Sequence, residues 1–262
     1  MPYIESRQNP RIKNLVKLRN KSHRLKQQLF IIEGEREIKE ALQSKVTVVE
    51  FYTCLSNGSI TLKFEPSTEV FEVSESVFKK ISYRENHDGH IAVARYYESQ
   101  LTDLSLSKKP LILVLEDLEK PGNLGALIRT AEAAKVDAII CCQPHIDPFN
   151  PNVIRSSQGL IFHIPIITTD NPSCLTFLKK NLITPYVTNI KATQTHWELP
   201  KDSSLALILG SEKKGLSSFW LQNPHTKSVG IPMWGRADSL NLSVAASILI
   251  YECRRPRDLK SK

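Results

Sequence analysis

The chain has 262 residues, 41% of them hydrophobic and 24% charged, with a net charge of +8. That is enough apolar residue for a buried core, and the balance excludes wholesale disorder. No apolar run reaches the roughly 18–20 residues of a membrane span, and the first residues, Met1–Arg7, do not show the short apolar run of a secretory signal. The five cysteines contain no Cys-x-x-Cys pair, which argues against a disulfide framework and a structural zinc. A cytoplasmic two-domain protein without a metal is expected.

The charge is concentrated at the two ends. The first thirty residues hold Arg7, Arg11, Lys13, Lys17, Arg19, Lys21, Arg24 and Lys26 against Glu5 alone, a net +7. The last nine carry +4, which leaves −3 for the body between. A basic arm and a basic tail on a slightly acidic body suit a polyanion, because each cation placed on a phosphate releases a counterion. The bland alternative is a solvated amphipathic helix.

From Asn9 to Leu18 apolar residues recur at helical spacing with bases on the other face. Leu29–Ile32 reads as a short buried strand, Glu35–Gln43 as a helix, and Val46–Tyr52 as a strand, with another near Val70. Ser76–Ser82 then reads as a helix and His90–Tyr96 as a strand. Residues 1–99 are thus expected to form a small α/β domain behind a basic arm. The polar stretch 100–110 reads as a linker.

Residues 111–262 have a regular rhythm. Strands are expected at Leu111–Leu115, Ala138–Cys142, Ile161–Ile167, Tyr186–Ile190, Leu205–Gly210 and Ser228–Pro232. Helices are expected at Leu124–Lys135, around Pro151–Gln158, at Cys174–Lys180, from about Leu216, and at Leu240–Arg254. Continuous apolar strands alternating with helices predict a parallel sheet covered on both faces, with ligands at the carboxyl ends of its strands.

Three segments fall at such ends. In Glu116–Thr130, Gly122 and Gly125 permit a tight turn, Asn123 is placed to cap the following helix, and Arg129 lies further along it. The segment is neither a P-loop nor a dinucleotide fingerprint. In Leu207–Leu216, Gly210 could let a flat ring approach the backbone, and Glu212 could cap a helix or hold a partner. In Ile231–Ala246, Ser239, Asn241 and Ser243 crowd the start of a helix. Each has an ordinary structural reading: a cap for Asn123, a solvated charge for Arg129, a helix-dipole acid for Glu212.

In this order, N-x-G-x-x-x-R-T, L-G-S-E-x-x-G-L and I-P-M-x-G-x-x-x-S-L-N-x-S-x-A-A closely resemble the three motifs of the SpoU (TrmH-like) class of SPOUT RNA methyltransferases. The resemblance runs through residues 111–254 and includes Pro151–Gly159. Gln158 and the bulky Trp234 are its mild departures. Residues Ser6–Lys13 and Phe30–Arg36 resemble the L30e-like substrate-binding domain that precedes many such catalytic domains.

The resemblance implies a parallel-sheet SPOUT domain with a carboxyl-terminal trefoil knot, which general rules on chain topology would not suggest. It implies methyl transfer from S-adenosylmethionine to a ribose 2′-hydroxyl of structured RNA, ribosomal RNA being favoured over transfer RNA. Leu209, Gly210, Ile231, Met233 and Leu240 would hold the cofactor. Arg129 would be the catalytic residue, with Asn123, Glu212, Ser239 and Asn241 orienting it and the ribose. A guanidinium stays protonated, so Arg129 fits a phosphate-binding, charge-stabilising cation better than a base. Arg7, Arg11, Lys13, Lys17, Arg24 and Arg155 are the candidate RNA contacts. A homodimer through the knot region and the carboxyl-terminal helix is implied. The rival readings are a non-catalytic RNA-binding relative, a transfer-RNA methyltransferase and a generic nucleotide-binding α/β enzyme; S-adenosylmethionine binding separates the catalytic reading from the first and last.

Overall fold

The computed structural model describes residues 1–54, 62–84, 87–200 and 203–255. The basic tail beyond Arg255, with Arg257, Lys260 and Lys262, lies outside the described residues. The chain packs into two units, one made of Met1–Glu98 with Asp147–His163, the other of Ser99–Ile146 with Ile164–Lys262.

The first unit is built on a five-stranded mixed sheet in the order β1-β4-β3-β5-β2. Its strands are β1 (Tyr3–Ile4), β2 (Leu29–Glu33), β3 (Val48–Thr53), β4 (Glu69–Val73) and β5 (His90–Arg95). The two-residue β1, parallel to β4, is too short to leave a period in the sequence. Helix α1 (Pro10–Lys17) starts where the Asn9 side chain accepts the Arg11 N–H at 2.9 Å and Pro10 needs no donor of its own. Its apolar stripe is fully used: Ile12, Leu15 and the following Leu18 are at most 2% exposed. The expected basic arm is therefore an integral wall of this unit, with its cations on the outer face.

That packing corrects one expected RNA contact. Arg24, in α2 (Lys21–Gln27), is buried, with its Nε 2.6 Å from the buried carboxylate of Asp147. Its Nη1 donates to the carbonyls of Leu18 and Arg19. A guanidinium so enclosed cannot reach a phosphate. Arg11 is exposed but already paired with Glu50 and Glu69, at 2.6 and 2.7 Å. Arg7, Lys13, Lys17 and Arg155 are exposed and form no ion pair among the described residues.

Helices α3 (Glu35–Gln43) and α4 (Glu75–Ile81) complete the amino-terminal part. Residues 147–163, expected in the second domain, also belong here: Phe149 stacks on Phe30 with centroids 4.3 Å apart. After α6 (Pro151–Ser156) the chain turns at Gly159, whose φ is +82° and whose missing Cβ would lie 2.8 Å from that of Glu40. A 3-10 turn at Leu160–Phe162 follows, so the strand expected at Ile161–Ile167 begins only at Ile166. The apolar run is buried as expected, but burial alone does not separate strand from helix.

The second unit carries a six-stranded, wholly parallel sheet in the order β11-β9-β10-β6-β7-β8. Its strands are β6 (Leu111–Glu116), β7 (Ala138–Cys142), β8 (Ile166–Thr169), β9 (Thr184–Thr188), β10 (Leu205–Leu209) and β11 (Lys227–Val229). Every residue of β6, β7 and β10 is buried, as continuous apolar strands under two helical layers require. The helices are α5 (Pro121–Ala133), α7 (Asn171–Lys180), α8 (Ser218–Leu221) and α9 (Leu242–Arg254). The expected linker is part of this unit: Leu101, Leu104 and Leu106 pack on its core, and Asp137 accepts the N–H groups of Ser107 and Leu111. Polar neighbours hid those three leucines. Among the described residues no helix is long and apolar enough to cross a membrane.

Candidate active site

The carboxyl ends of β9, β10 and β11 open onto a cavity of about 590 Å³. That volume lies within the roughly 300–1,000 Å³ of small-molecule sites, and its position is that expected of a parallel sheet. Leu209, Gly210, Ile231, Met233 and Leu240 all line it, as do Glu212, Ser239 and Asn241. The sequence reading missed Lys120, Lys214, and Thr188–Ile190 after β9. The position of Thr188–Ile190 at a strand's carboxyl end was the signal available for those three.

Glu212 fastens the walls together. Its Oε1 accepts from the side-chain amides of Asn123 at 3.0 Å and Asn241 at 2.8 Å, while Oε2 pairs with Lys120. One carboxylate thus joins the loop after β10, the start of α5 and the start of α9. The hydrogen bonds of Lys120 and then Asn123 hold its pKa below the usual range, so it is a weak proton acceptor near neutrality. Nearby, burial pushes Asp117 up, but contacts from Lys214 at 3.2 Å and His145 at 2.5 Å outweigh it and leave the carboxyl low.

One expected cap and one expected helix start are corrected. Lys120, not Asn123, occupies the cap position of α5, and Pro121 follows; the helix starts three residues before Leu124. The Asn123 side chain is thereby free to hold Glu212. Helix α9 is capped by Asn241, whose Oδ1 accepts the Ser243 N–H at 2.9 Å, and not by Ser239. Asn241 therefore does two things at once, its oxygen capping a helix and its amide bonding Glu212. Ser239 stays exposed at the cavity.

Gly210 is also required by the fold of its own loop. A Cβ there would lie 2.2 Å from the carbonyl of Gly215 and 2.4 Å from the Leu216 nitrogen. The loop folds straight back on itself, closed by the Gly215 N–H on the Ser211 carbonyl at 2.9 Å and by Gly215 at φ +68°. Below it, buried Glu116 accepts the Ser217 N–H at 2.7 Å, its hydroxyl at 2.6 Å and the Asn171 amide at 2.5 Å. Asn171 in turn accepts the indole N–H of buried Trp220 at 3.0 Å. The far end of the loop is thus pinned to β6.

Arg129 lies elsewhere. It is exposed on α5, its side chain forms no hydrogen bond or ion pair among the described residues, and it does not line the cavity of its own chain. Its neighbour Thr130 meets Ser247 of α9 at 3.0 Å, so the two helices pack side by side. Among the described residues no group of three or more His, Cys, Asp or Glu is arranged to hold a metal.

The SpoU rRNA methylase family matches residues 110–251, and the MRM3-like substrate-binding domain matches residues 9–92. The chain belongs to the SpoU rRNA methylase family. It is 34% identical over 254 residues to the 23S rRNA (guanosine(2553)-2′-O)-methyltransferase RlmP of Bacillus subtilis, covering 97% of this chain and all of that one. The crystal structure of an RNA 2′-O ribose methyltransferase superposes with a TM-score of 0.83 at 38% identity, covering 97% and 99% of the two chains. The S-adenosylmethionine-bound rRNA methyltransferase of Sinorhizobium meliloti superposes at 0.87 with 26% identity and 97% of each chain covered. The protein is an S-adenosylmethionine-dependent RNA methyltransferase with the α/β SPOUT fold.

Proposed function

We propose that the protein methylates a ribose 2′-hydroxyl of large-subunit ribosomal RNA in the cytoplasm, with S-adenosylmethionine held in the cavity at the ends of β9, β10 and β11. The convergence of motif-two and motif-three residues on that single cavity carries the reading. Its chemistry fits the donor: Leu209, Ile231, Leu240 and Leu249 offer an apolar bed for a flat base, and main-chain groups beside Gly210 and Met233 offer hydrogen bonds. At the rim, one carboxylate (Glu212) and two ammonium groups (Lys120 and Lys214) suit a ligand that carries both signs of charge. When bound, the donor supplies a methyl group on a sulfonium, which departs neutral and needs no acid.

The chain's own residues then align the hydroxyl and manage its charge. Orientation alone contributes roughly 7–11 kcal/mol in good intramolecular systems. Glu212 orients Asn123 and Asn241, and Ser239 lies at the mouth where a ribose would enter. Arg129, unpaired and permanently charged, serves as the cation that holds the adjoining phosphate and stabilises the developing alkoxide. Because it does not line its own cavity, it acts at the partner's in a homodimer. Helix α9 supports that assembly: Val244 and Tyr251, seven residues apart and hence on one face, are 47% and 54% exposed opposite its buried side. A trefoil knot is part of the proposal. Val229 accepts from Asn189, and the next residue, Gly230, is bonded to both Gln194 and His196, which draws loop 189–196 around the entering chain.

Arg7, Lys13, Lys17 and Arg155 are the proposed RNA contacts of the first unit. Mapping of 2′-O-methyl groups in ribosomal and transfer RNA from a deletion strain tests the function. Loss of one mark in large-subunit RNA is expected; loss confined to transfer RNA overturns the substrate, and no loss with no binding of S-adenosylmethionine overturns the whole.

A further inference from the structure

Two of the three tryptophans are exposed, and they touch each other. Trp197 and Trp234 stack with ring centroids 6.0 Å apart and planes 23° from parallel, at 48% and 83% exposure. His196, only 7% exposed, also meets Trp197, with ring centroids 4.7 Å apart and planes tilted by 38°. Trp197 is thus held beside a buried imidazole, while most of Trp234 meets solvent. Nothing in the cavity's own wall requires Trp234, and it departs from the motif that surrounds it.

We propose that the Trp197–Trp234 pair is a platform on which an unpaired nucleobase of the RNA substrate stacks, next to the ribose being methylated. This rests on the methyltransferase reading. The reaction brings an RNA ribose to a cavity lined by Ile231 and Met233, and Trp234 is the next residue after that lining. The surrounding charge suits the same visitor. Arg236, two residues on, and Lys191, in the segment leading to Trp197, are exposed and form no ion pair among the described residues; the two carboxylates of these segments are Asp238 and Glu198, the latter already accepting the Thr195 N–H and hydroxyl. Exposed aromatic faces beside free cations form the surface that single-stranded nucleic acid takes, each base lying on a ring and each phosphate near a cation.

The molecule carries its own optical control, since Trp220 is fully buried and bonded to Asn171. In the full-length protein, an adenylate decamer should quench tryptophan emission and a decamer of abasic ribose-phosphate should not. Trp197→Phe and Trp234→Phe assign the quenching to each ring. Trp234→Leu, at a position too exposed to threaten folding, should lower kcat/KM for deletion-strain ribosomal RNA by roughly 5- to 150-fold through KM, with S-adenosylmethionine affinity unchanged. Trp234→Phe should restore part of that loss. Equal quenching by both decamers, or wild-type kcat/KM in Trp234→Leu, overturns the proposal. So does emission of the free protein that becomes shielded from acrylamide as protein concentration rises, which would place a second copy on the patch. A wild-type protein that neither binds S-adenosylmethionine nor methylates ribosomal RNA would instead remove the reading beneath it.

Discussion

Replacing Glu212 by glutamine isolates the carboxylate that joins the three loops. The shape is kept, and the glutamine oxygen can still accept from Asn123 and Asn241, which share Oε1 in the native site. What changes is charge: both bonds become neutral, and an amide N–H now faces the Lys120 ammonium. Hydrogen bonds to a charged group contribute about 1.5–3 kcal/mol against about 0.5–1.5 for neutral ones, so the two amides together lose about 2–3 kcal/mol before solvent screening. The Lys120 pair adds less than about 1 kcal/mol, because the lysine side chain is 62% exposed. With Glu212 itself 23% exposed and partly screened, a net cost of about 1–2 kcal/mol to the closed loops is expected. If the donor binds only the closed arrangement, its Kd should rise roughly 5- to 30-fold by calorimetry. A cycle with Asn241→Ala should show coupling above about 0.5 kcal/mol. A Kd within twofold of wild type, or strict additivity, would refute the clamp. The pH dependence has a fixed sign. The folded pKa of Glu212 is lowered, so its contribution is complete above the ordinary carboxylate range and is lost as pH falls through the lowered value. Donor affinity should not lose this clamp anywhere above that range.

Gly210→Ala should weaken S-adenosylmethionine binding more than tenfold, since its Cβ would lie 2.2 Å from the Gly215 carbonyl and force the loop open; unchanged affinity would show that the loop yields freely. Arg24→Met should destabilise the protein by about 3–5 kcal/mol in denaturant, because Asp147 is left charged and buried, while Lys13→Glu with Lys17→Glu should leave stability intact, weaken RNA binding and reduce its salt slope. Arg129→Ala should abolish methyl transfer with donor affinity nearly intact, and Arg129→Lys should stay impaired at every pH if the planar fork is what matters. Mixing inactive Arg129→Ala with an inactive cavity variant should restore up to about a quarter of the activity in statistical heterodimers, and no recovery would place Arg129 in its own chain's site.

The cavity was legible because its residues sit at strand ends of a parallel sheet whose apolar rhythm is strong. Leu209, Gly210, Ile231, Met233 and Leu240 needed only that rhythm and the motifs. What stayed hidden depended on contacts distant in sequence. Arg24 reads as one more cation on a basic helix until Asp147, 123 residues later, is found against it. Asn123 reads as a helix cap because its local spacing allows one, and only the fold shows Lys120 in that place and Glu212 within reach. The 147–163 segment has the apolar content of either unit, and its partner Phe30 lies in β2. Local periodicity carries no information about which core a buried segment joins.

In the proposed site the donor side and the acceptor side are built differently. On the donor side, Gly210 leaves no room for a side chain, Glu212 bonds three residues, and Glu116 pins Ser217 from below, so the wall is set before any ligand arrives. On the acceptor side Ser239, Trp234 and Arg236 are exposed, and Arg129 is unpaired and absent from the cavity of its own chain. Such a division follows from the reaction. A donor shared by every turnover is bound best by a rigid wall, which loses little freedom on binding. The ribose must be selected from a long polymer, so the groups that align it gain most if they are completed only when the correct RNA is present, as a loss in turnover rather than in donor affinity. Substitutions on the two sides should therefore separate cleanly. Those at Gly210 and Glu212 should act first on donor Kd, and those at Trp234 and Arg129 on RNA KM and kcat at unchanged donor affinity. A variant of Arg129 or Trp234 that loses donor binding while remaining folded would mean that the acceptor side helps to build the wall, and the division would fail.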